Sequence, residues 1–317
     1  MPELSRPALR PSRTPVVDSA RWDRFEPRAD DIIIATYPKC GTTWTQRIVD
    51  MLIFQSTEPR NVDAASPWLD SRLFDPLDEQ LAVLEAQKHR RLVKSHLPLY
   101  GLPIYEGVKY IHVARDGRDA CMSFHNHMMA LSAAAMQRVF ANVAADGMTG
   151  PPPDPPAHDL REYYLQWIAE AEGEASGMNG GSFFDYENSY WAERARANLL
   201  LVHYNDLKAD LPGEVARISR YLDIDTPAAL LADIAAAASF EVMKRQGDAI
   251  MGDLTQTFDG GSQRFLHKGV NGRWRDVLTA GDVTRFDALV RRKFSPACAA
   301  WIEGGRLVAG DPRTAPD

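Results

Sequence analysis

The sequence predicts an α/β fold, a single domain in which a central parallel sheet of about five strands is flanked by helices. Helical and strand patterns alternate along the 317 residues, and this order favours parallel strands joined by helices. The run at residues 199–204 is rich in Leu and Val, as in strands covered on both faces of a sheet. No internal repeat and no long linker divides the chain, so one domain is expected.

The elements follow from the spacing of apolar residues. Four runs have the length and composition of strands: residues 32–35, 91–96, 108–114 and 199–204. Seven runs show helical spacing: residues 44–54, 78–89, about 119–129, 159–170, 212–222, 227–238 and about 282–293. Between residues 132 and 156 the pattern gives way to Ala, Gly and a Pro cluster, which cannot continue a helix or a central strand.

The composition limits the class of protein. With 45% hydrophobic and 25% charged residues the chain is typical of globular proteins. No apolar run approaches the roughly 20 residues of a membrane span, and the Pro- and Arg-rich N-terminus lacks the apolar core of a signal peptide. The three separate cysteines, Cys40, Cys121 and Cys298, fit neither a disulfide framework nor paired zinc ligands. We therefore expect a cytoplasmic protein with no membrane span.

Charge and chain ends set two further expectations. The formal net charge of −7 argues against a broad nucleic-acid surface, so no nucleic-acid partner is expected. Functional basic residues should then be gathered at a local site. Residues 1–20 are predicted to form a flexible arm and residues 301–317 a tail, which leaves residues 21–300 as the domain, with a variable segment at about 130–190.

The most informative stretch is residues 32–44, which predicts a strand, an anion-binding loop and a helix. Backbone N–H groups are left unpaired at a helix N-terminus, and Lys39, Thr42 and Thr43 would favour a phosphate there. The pattern is not that of ATP- or GTP-binding loops, which have two glycines before the Lys, whereas Lys39 precedes Gly41. Its ammonium therefore enters the site from a different point of the loop.

Two later strand ends carry polar residues for the same crevice. His96 and Lys94 come at the end of the second predicted strand, and ligands of open parallel sheets bind where strands pass into loops. A histidine at the end of a strand more often has only a structural role. A histidine that faces Lys39 across the crevice can instead accept a proton near neutral pH. Arg115 ends the third strand and Ser123 follows two helical turns later; guanidinium and hydroxyl groups both suit a phosphate.

A basic loop near the C-terminus completes the set of motifs. Gly269 and Gly272 lie three residues apart and are flanked by His267, Lys268 and Arg273, which describes a loop able to close over a nucleotide.

These segments together resemble the cytosolic sulfotransferase family. Residues 38–44 (Pro-Lys-Cys-Gly-Thr-Thr-Trp) are similar to its phosphosulfate-binding loop, and residues 93–98 to the strand that carries its catalytic base. Residues 267–274 resemble its Arg-Lys-Gly-x-x-Gly-x-Trp signature, except that His267 replaces the usual Arg. The resemblance runs from about residue 22 to residue 293, in the family's order and approximate spacing.

The resemblance implies the donor 3′-phosphoadenosine 5′-phosphosulfate (PAPS) and the product adenosine 3′,5′-bisphosphate (PAP), with no metal. Transfer would go to a hydroxyl or an amine of a small acceptor. The implied catalytic residues are His96, Lys39 and Lys94. The implied cofactor-binding residues are Lys39, Cys40, Gly41, Thr42, Thr43, Trp44, Arg115, Ser123, Tyr204, Ser239, Phe240, His267, Lys268 and Gly269. His267 would bind the 3′-phosphate more weakly than Arg and with some pH dependence.

The acceptor is the least determined feature. Aromatic and neighbouring residues predicted to line its pocket are Tyr37, Phe124, His125 and Phe183, and each could instead belong to the core. Such a pocket suits a phenol, a sterol or another apolar alcohol. Residues 275–280 match the family's dimer segment only in part, which leaves a homodimer open. The competing functions are a phosphate-loop small-molecule kinase and a non-catalytic nucleotide-binding protein.

Overall fold

The computed structural model describes residues 1–73, 76–145, 156–173 and 181–316. The strands are β1 (Leu4–Arg6), β2 (Ile32–Ala35), β3 (Leu92–Ser95), β4 (Ile104–Tyr105), β5 (Lys109–Ala114) and β6 (Leu199–His203). The first helices are α1 (Thr42–Phe54), α2 (Val62–Ala65), α3 (Leu77–Ala86), α4 (Gly117–Met128), α5 (Ala133–Ala145), α6 (Leu160–Glu172), α7 (Phe183–Trp191) and α8 (Tyr204–Ala209).

The remaining helices are α9 (Leu211–Tyr221), α10 (Ala228–Ala237), α11 (Phe240–Arg245), α12 (Gly247–Met251), α13 (Gly261–Phe265), α14 (Ala280–Lys293), α15 (Pro296–Gly304) and α16 (Arg306–Ala309). Short 3₁₀ turns occupy Ser19–Arg24, Leu99–Gly101, Arg273–Asp276 and Pro312–Thr314.

The central sheet is parallel, with the strand order β3-β2-β5-β6. Among the described residues it has four strands, so the expectation of about five is corrected to four. The chain offers four long apolar runs, and the short β1 and β4 pair separately as an antiparallel ribbon. The connection after β2 leads to β3 on one side of the sheet, and the connection after β5 leads to β6 on the other, so a crevice opens between the carboxyl ends of β2 and β5.

Alternate residues of the strands build the two faces of the core. Ile32 and Ile34 of β2 pack with the apolar stripe of α1 and with α9 and α10. Ile33 and Ala35 point to the other face, into a larger cluster with the aromatic residues of α6 and α7. This alternation is the period of two expected for a strand, and burial of both faces explains its continuous run of Ile.

Seven of the sixteen helices in the described residues were predicted from the sequence, and α5 and α7 are two of those that were not. Helix α5 occupies residues expected to have no regular structure; Ala has the highest helix propensity, and the Ser132 hydroxyl accepts a hydrogen bond from the Ala135 amide at the helix start. Helix α7 was not predicted, although Ser182 and Asp185 form a capping box that is visible in the sequence. The expectation for residues 146–155, which include most of the Pro cluster, lies outside the described residues.

The chain ends pack against the domain. Strand β1 pairs with β4, and Val17 is fully buried, so residues 1–20 differ from the flexible arm that was expected. At the other end Trp301 and Ile302 are buried, and Arg306 pairs with Glu214 at 2.8 Å. Both terminal segments carry apolar side chains, and burial of these side chains stabilises the packing of each segment against the domain.

Candidate active site

The loop after β2 forms the floor of a cavity. It leaves the strand at Thr36 and enters α1 at Thr42, with Gly41 in the left-handed region at φ 114°. A Cβ at Gly41 would lie 3.3 Å from the Tyr204 ring, so this position needs glycine for both its backbone and its space. No side chain caps α1, which leaves the amides of its first turn available to an anion.

Lys39 projects its ammonium into this cavity. Its backbone is also left-handed, at φ 68°, and the Arg115 guanidinium donates to its carbonyl oxygen at 3.1 Å. Nζ lies 3.5 Å from His127 Nδ1 and 4.0 Å from the centre of the Phe265 ring. Burial, and after it the charges of Lys94 and Arg115, lowers the pKa of Lys39 to about 7. An anion bound beside Lys39 would raise this pKa again and so keep the ammonium charged.

His96 lies on the same cavity with one ring nitrogen already committed. Its Nδ1 is 2.7 Å from the Thr36 carbonyl oxygen, which can only accept, so Nδ1 carries the proton. Nε2 then has a free lone pair and no hydrogen-bond partner among the described residues. The sheet register causes this placement, because Ala35 pairs with Ser95 and the next residues face each other.

Lys94 brings a second cation to His96. Its Nζ lies 4.0 Å from Asp63 and 5.1 Å from the centre of the Trp68 ring, and its side chain is 16% exposed. Burial, followed by the charge of Lys94, lowers the pKa of His96 to about 3. His96 is therefore neutral around pH 7 in the free protein.

Asp70 supports His96 from behind and was not singled out from the sequence. Its buried carboxylate accepts from Trp22 Nε1 at 3.0 Å, from Trp68 Nε1 at 2.5 Å and from the His96 amide at 3.2 Å. The Trp68 ring in turn meets the His96 ring edge to face, with centroids 4.6 Å apart. Only the fold brings these residues together, because residues 22, 70 and 96 lie in separate segments.

Arg115 lines the same cavity beside Lys39. Its guanidinium lies over the Tyr204 ring at 4.1 Å, and Asn271 Oδ1 accepts from its Nε at 3.1 Å and from its Nη2 at 2.5 Å. Ser123 of α4 lines the same region. Asn271, which sequence reasoning missed, thus links Arg115 to the basic loop.

Aromatic rings lie near Arg115. Trp44 donates its Nε1–H to the Ala238 carbonyl at 2.8 Å and meets the Tyr204 ring edge to face at 5.3 Å. Phe240 lies under the basic loop, where a Cβ on Gly269 would come within 2.5 Å of its ring. Gly269 has φ 63°, and Lys208 Nζ donates to its carbonyl at 2.6 Å. Glycine is therefore required where the loop crosses the aromatic ring.

These residues line one cavity of about 1350 Å³. Its polar end holds Lys39, Gly41, Thr42, Thr43, Trp44, Lys94, His96, Arg115, Ser123, Tyr204, Phe240, His267, Lys268 and Gly269. Its apolar end is formed largely by α4, α5 and the segment that leads to the basic loop, with Phe124, Leu131, Met136, Val139, Phe140, Leu254, Phe258 and Phe265 among its residues.

Five residues expected at the site do not line this cavity. Cys40 is buried behind the loop and Ser239 lies outside the lining. Tyr37 continues the side of β2 that faces the core and accepts from Trp167 Nε1 at 3.1 Å. His125 is next to Phe124 but points about 100° away on the helix, and it contacts the Ala157 carbonyl at 2.9 Å. Phe183 packs against Gly117 in the core.

A metal cluster and a membrane-spanning helix are both absent from the described residues. No group of three or more His, Cys, Asp or Glu side chains there could hold a metal ion. None of the helices in that part of the chain is both long and apolar enough to cross a membrane.

The sequence has relatives over nearly its whole length. The family model described as the sulfotransferase domain matches residues 29–296. A glycolipid sulfotransferase of Mycobacterium bovis is 31% identical over 308 residues, which cover 93% of this chain and 94% of the relative. Sulfotransferase 1B1 of Canis lupus familiaris is 28% identical over 282 residues, which cover 86% of each chain.

Solved structures share the fold. Retinol dehydratase in complex with retinol and PAP superimposes with a TM-score of 0.68 at 21% sequence identity, covering 88% of this chain and 85% of that one. Mouse sulfotransferase SULT7A1 complexed with PAP gives a TM-score of 0.64, also at 21% identity, over 88% of this chain and 89% of that one. Family match, relatives and fold agree with the resemblance drawn from the motifs, and the chain belongs to the sulfotransferase family.

Proposed function

We propose that this sulfotransferase transfers the sulfuryl group of PAPS to a hydroxyl of an apolar or phenolic acceptor, with His96 as the general base and PAP as the second product. The observation that carries the proposal is the state of His96. Its Nδ1–H is donated to Thr36, so the lone pair of Nε2 is free in the cavity that also holds the Lys39 ammonium. An acceptor hydroxyl between the two can lose its proton as it reacts.

The residues present fit such a donor. The open amides of α1 and the Lys39 ammonium suit the 5′-phosphosulfate, and Trp44, Tyr204 and Phe240 offer flat rings to an adenine. Arg115 and Lys268 supply positive charge for a 3′-phosphate. Gly41 and Gly269 keep the two walls free of side chains that would fill this space.

The donor supplies a sulfur atom bonded to a good leaving group, the 5′-phosphate oxygen. His96 Nε2 accepts the hydroxyl proton while the acceptor oxygen forms its bond to sulfur. The electron pair of the breaking bond between sulfur and the 5′-phosphate passes to that phosphate oxygen. Lys39, Lys94 and the amides of α1 neutralise the charge that collects there.

Electrostatics couple the base to the donor. Burial, and after it the charges of Lys94 and Lys39, lower the pKa of His96 in the free protein, so His96 enters the reaction neutral and able to accept a proton. An anionic donor between these cations would offset their effect and raise the pKa of His96. The base would then be strengthened when the donor is bound.

The apolar end of the cavity supports an apolar acceptor. A volume of about 1350 Å³ exceeds the range of roughly 300–1,000 Å³ that is typical for one small ligand, so nucleotide and acceptor can share it. A Mycobacterium bovis relative is named as a glycolipid sulfotransferase. We include lipid alcohols and the hydroxyls of glycolipids in the acceptor class.

The proposal is tested by replacing His96 with Ala. Transfer of labelled sulfate from PAPS should be abolished, whereas PAP should bind nearly as in the unmodified protein, because His96 serves the acceptor proton rather than the nucleotide. His158→Ala is the matched control, since His158 is an exposed histidine outside the cavity. Full transfer by His96→Ala would remove the proposed base.

A second measurement separates the competing functions. PAP should raise the melting temperature much more than ATP does, and equal shifts would favour a kinase. A non-catalytic binder would respond to PAP but transfer no sulfate to any phenol, sterol, lipid or sugar tested.

Two further proposals concern the setting of the enzyme. We place it in the cytoplasm, a reducing compartment that suits its three free and buried cysteines. Homodimerisation through residues 275–280 remains a prediction, to be checked by light scattering at several protein concentrations.

A further inference from the structure

The basic loop has lost its expected arginine at position 267. His267 is half-buried, and burial, followed by the charges of Arg273, Arg264, Lys268 and Lys244, lowers its pKa to about 4. Its Nδ1 lies 3.4 Å from Arg273 Nη1, a group that can only donate, so Nδ1 acts as an acceptor. A neutral ring at this position brings no charge to a phosphate.

The contact between His267 and Arg273 shows that the charge missing at position 267 is supplied by a neighbouring residue. Gly269 and Gly272 both have left-handed backbones, at φ 63° and 82°, and they turn the chain back on itself. The Gly272 amide donates to Asp119 Oδ1 at 2.7 Å, which holds the turn against α4. Arg273, six residues after His267, therefore places its guanidinium beside the position that an arginine at 267 would serve.

Arg273 is also unneutralised within the described part of the chain. It lines the cavity with His267, Lys268 and Gly269, and no carboxylate lies within 4 Å of its guanidinium among the described residues. Arg118 and Arg161, by contrast, are paired with Asp116 and Asp282 at 2.6 Å. A half-buried guanidinium that lines a cavity without an acidic partner favours an external anion.

We propose that Arg273, and not His267, provides the guanidinium that binds the 3′-phosphate of the nucleotide, together with Lys268 and Arg115. This inference rests on the proposed function, because it assigns a contact to the proposed donor. The chain then keeps the charge of the signature but carries it on a different residue. His267 acts as a neutral hydrogen-bond acceptor that orients the Arg273 guanidinium.

The test compares two nucleotides that differ in the 3′-phosphate, PAP and adenosine 5′-monophosphate, by titration calorimetry. Arg273→Ala should weaken PAP binding by about 10- to 100-fold, the range expected for charge-assisted hydrogen bonds. Binding of adenosine 5′-monophosphate should change by less than about threefold, which also shows that the variant is folded. Arg275→Ala is the matched control, because Arg275 lies on the same turn, is exposed and does not line the cavity.

A rescue experiment sharpens the assignment. Adding His267→Arg to Arg273→Ala should recover most of the PAP affinity, since the guanidinium returns to the same place from the other residue. His267→Ala alone should weaken PAP binding by less than about threefold.

Several results would overturn the inference. They are an unchanged PAP affinity in Arg273→Ala, equal losses for both nucleotides, or no rescue by His267→Arg. If the unmodified protein itself bound the two nucleotides equally, the proposed donor would fail as well, and the two failures are therefore distinguishable.

Discussion

The lowered pKa of Lys39 predicts that nucleotide binding takes up a proton. In the free protein burial holds this pKa at about 7, against an ordinary value of 10.5. A bound bisphosphate favours the charged ammonium and raises the pKa toward or above that ordinary value. At a pH between these two pKa values, Lys39 is deprotonated in the free protein but protonated in the complex. Binding then requires the uptake of a proton, so the affinity for the nucleotide falls as the pH rises.

The size of the effect follows from the two pKa values. Free Lys39 is already about three-quarters deprotonated at pH 7.5 and almost wholly deprotonated at pH 9, and the dissociation constant for PAP should increase about 25-fold between these pH values. Near pH 8 about 0.9 proton should be taken up per nucleotide bound. In the free protein His96 and His267, with pKa values of about 3 and 4, do not titrate in this window.

Titration calorimetry in buffers of different ionisation enthalpy measures both quantities. Lys39→Arg is the control, because a guanidinium remains charged throughout this range and should bind PAP with an affinity nearly independent of pH. A flat profile in the unmodified protein would refute the reasoning about Lys39. So would the same slope in Lys39→Arg.

Two further predictions concern the walls of the site. Gly269→Ala should raise the dissociation constant for PAP at least tenfold in the same calorimetric assay, because a Cβ on this left-handed backbone would lie 2.5 Å from the Phe240 ring. Gly281→Ala is the control. A Cβ there would lie 3.7 Å from its nearest atom, so the dissociation constant should be unchanged. Asp70→Asn should lower the free energy of unfolding by about 2–3 kcal/mol in urea titrations, since the amide keeps one acceptor oxygen and turns an NH2 group toward a buried N–H donor. The exposed Asp78, replaced in the same way, serves as its control, and an equal loss in both would contradict a special role for Asp70.

The strand ends show how far local sequence can be taken. The runs at 32–35, 91–96, 108–114 and 199–204 gave the four strands of the sheet to within a residue or two, because buried parallel strands are short and apolar. Their carboxyl ends gave Lys39, His96, Arg115 and Tyr204, and all four line the cavity.

The acceptor side shows where local sequence fails. Phe124 and His125 are neighbours with similar character, yet one lines the cavity and the other packs inside. The direction of a side chain on a helix depends on which face the neighbouring elements cover, and residues distant in the chain supply those elements. Tyr37 and Phe183 entered the core for the same reason.

The sequence by itself determined where the residues of the proposed chemistry lie: Lys39 in the loop after one strand, a histidine at the next strand end, and further cations at a later strand end and in the basic loop. These follow from residue types at fixed positions relative to strands and helix starts. Only the tertiary structure decided the proton on His96 Nδ1, the lowered pKa of Lys39 and the place of Arg273 beside His267. Desolvation and hydrogen-bond partners arise between segments far apart in the chain, and no local pattern records them.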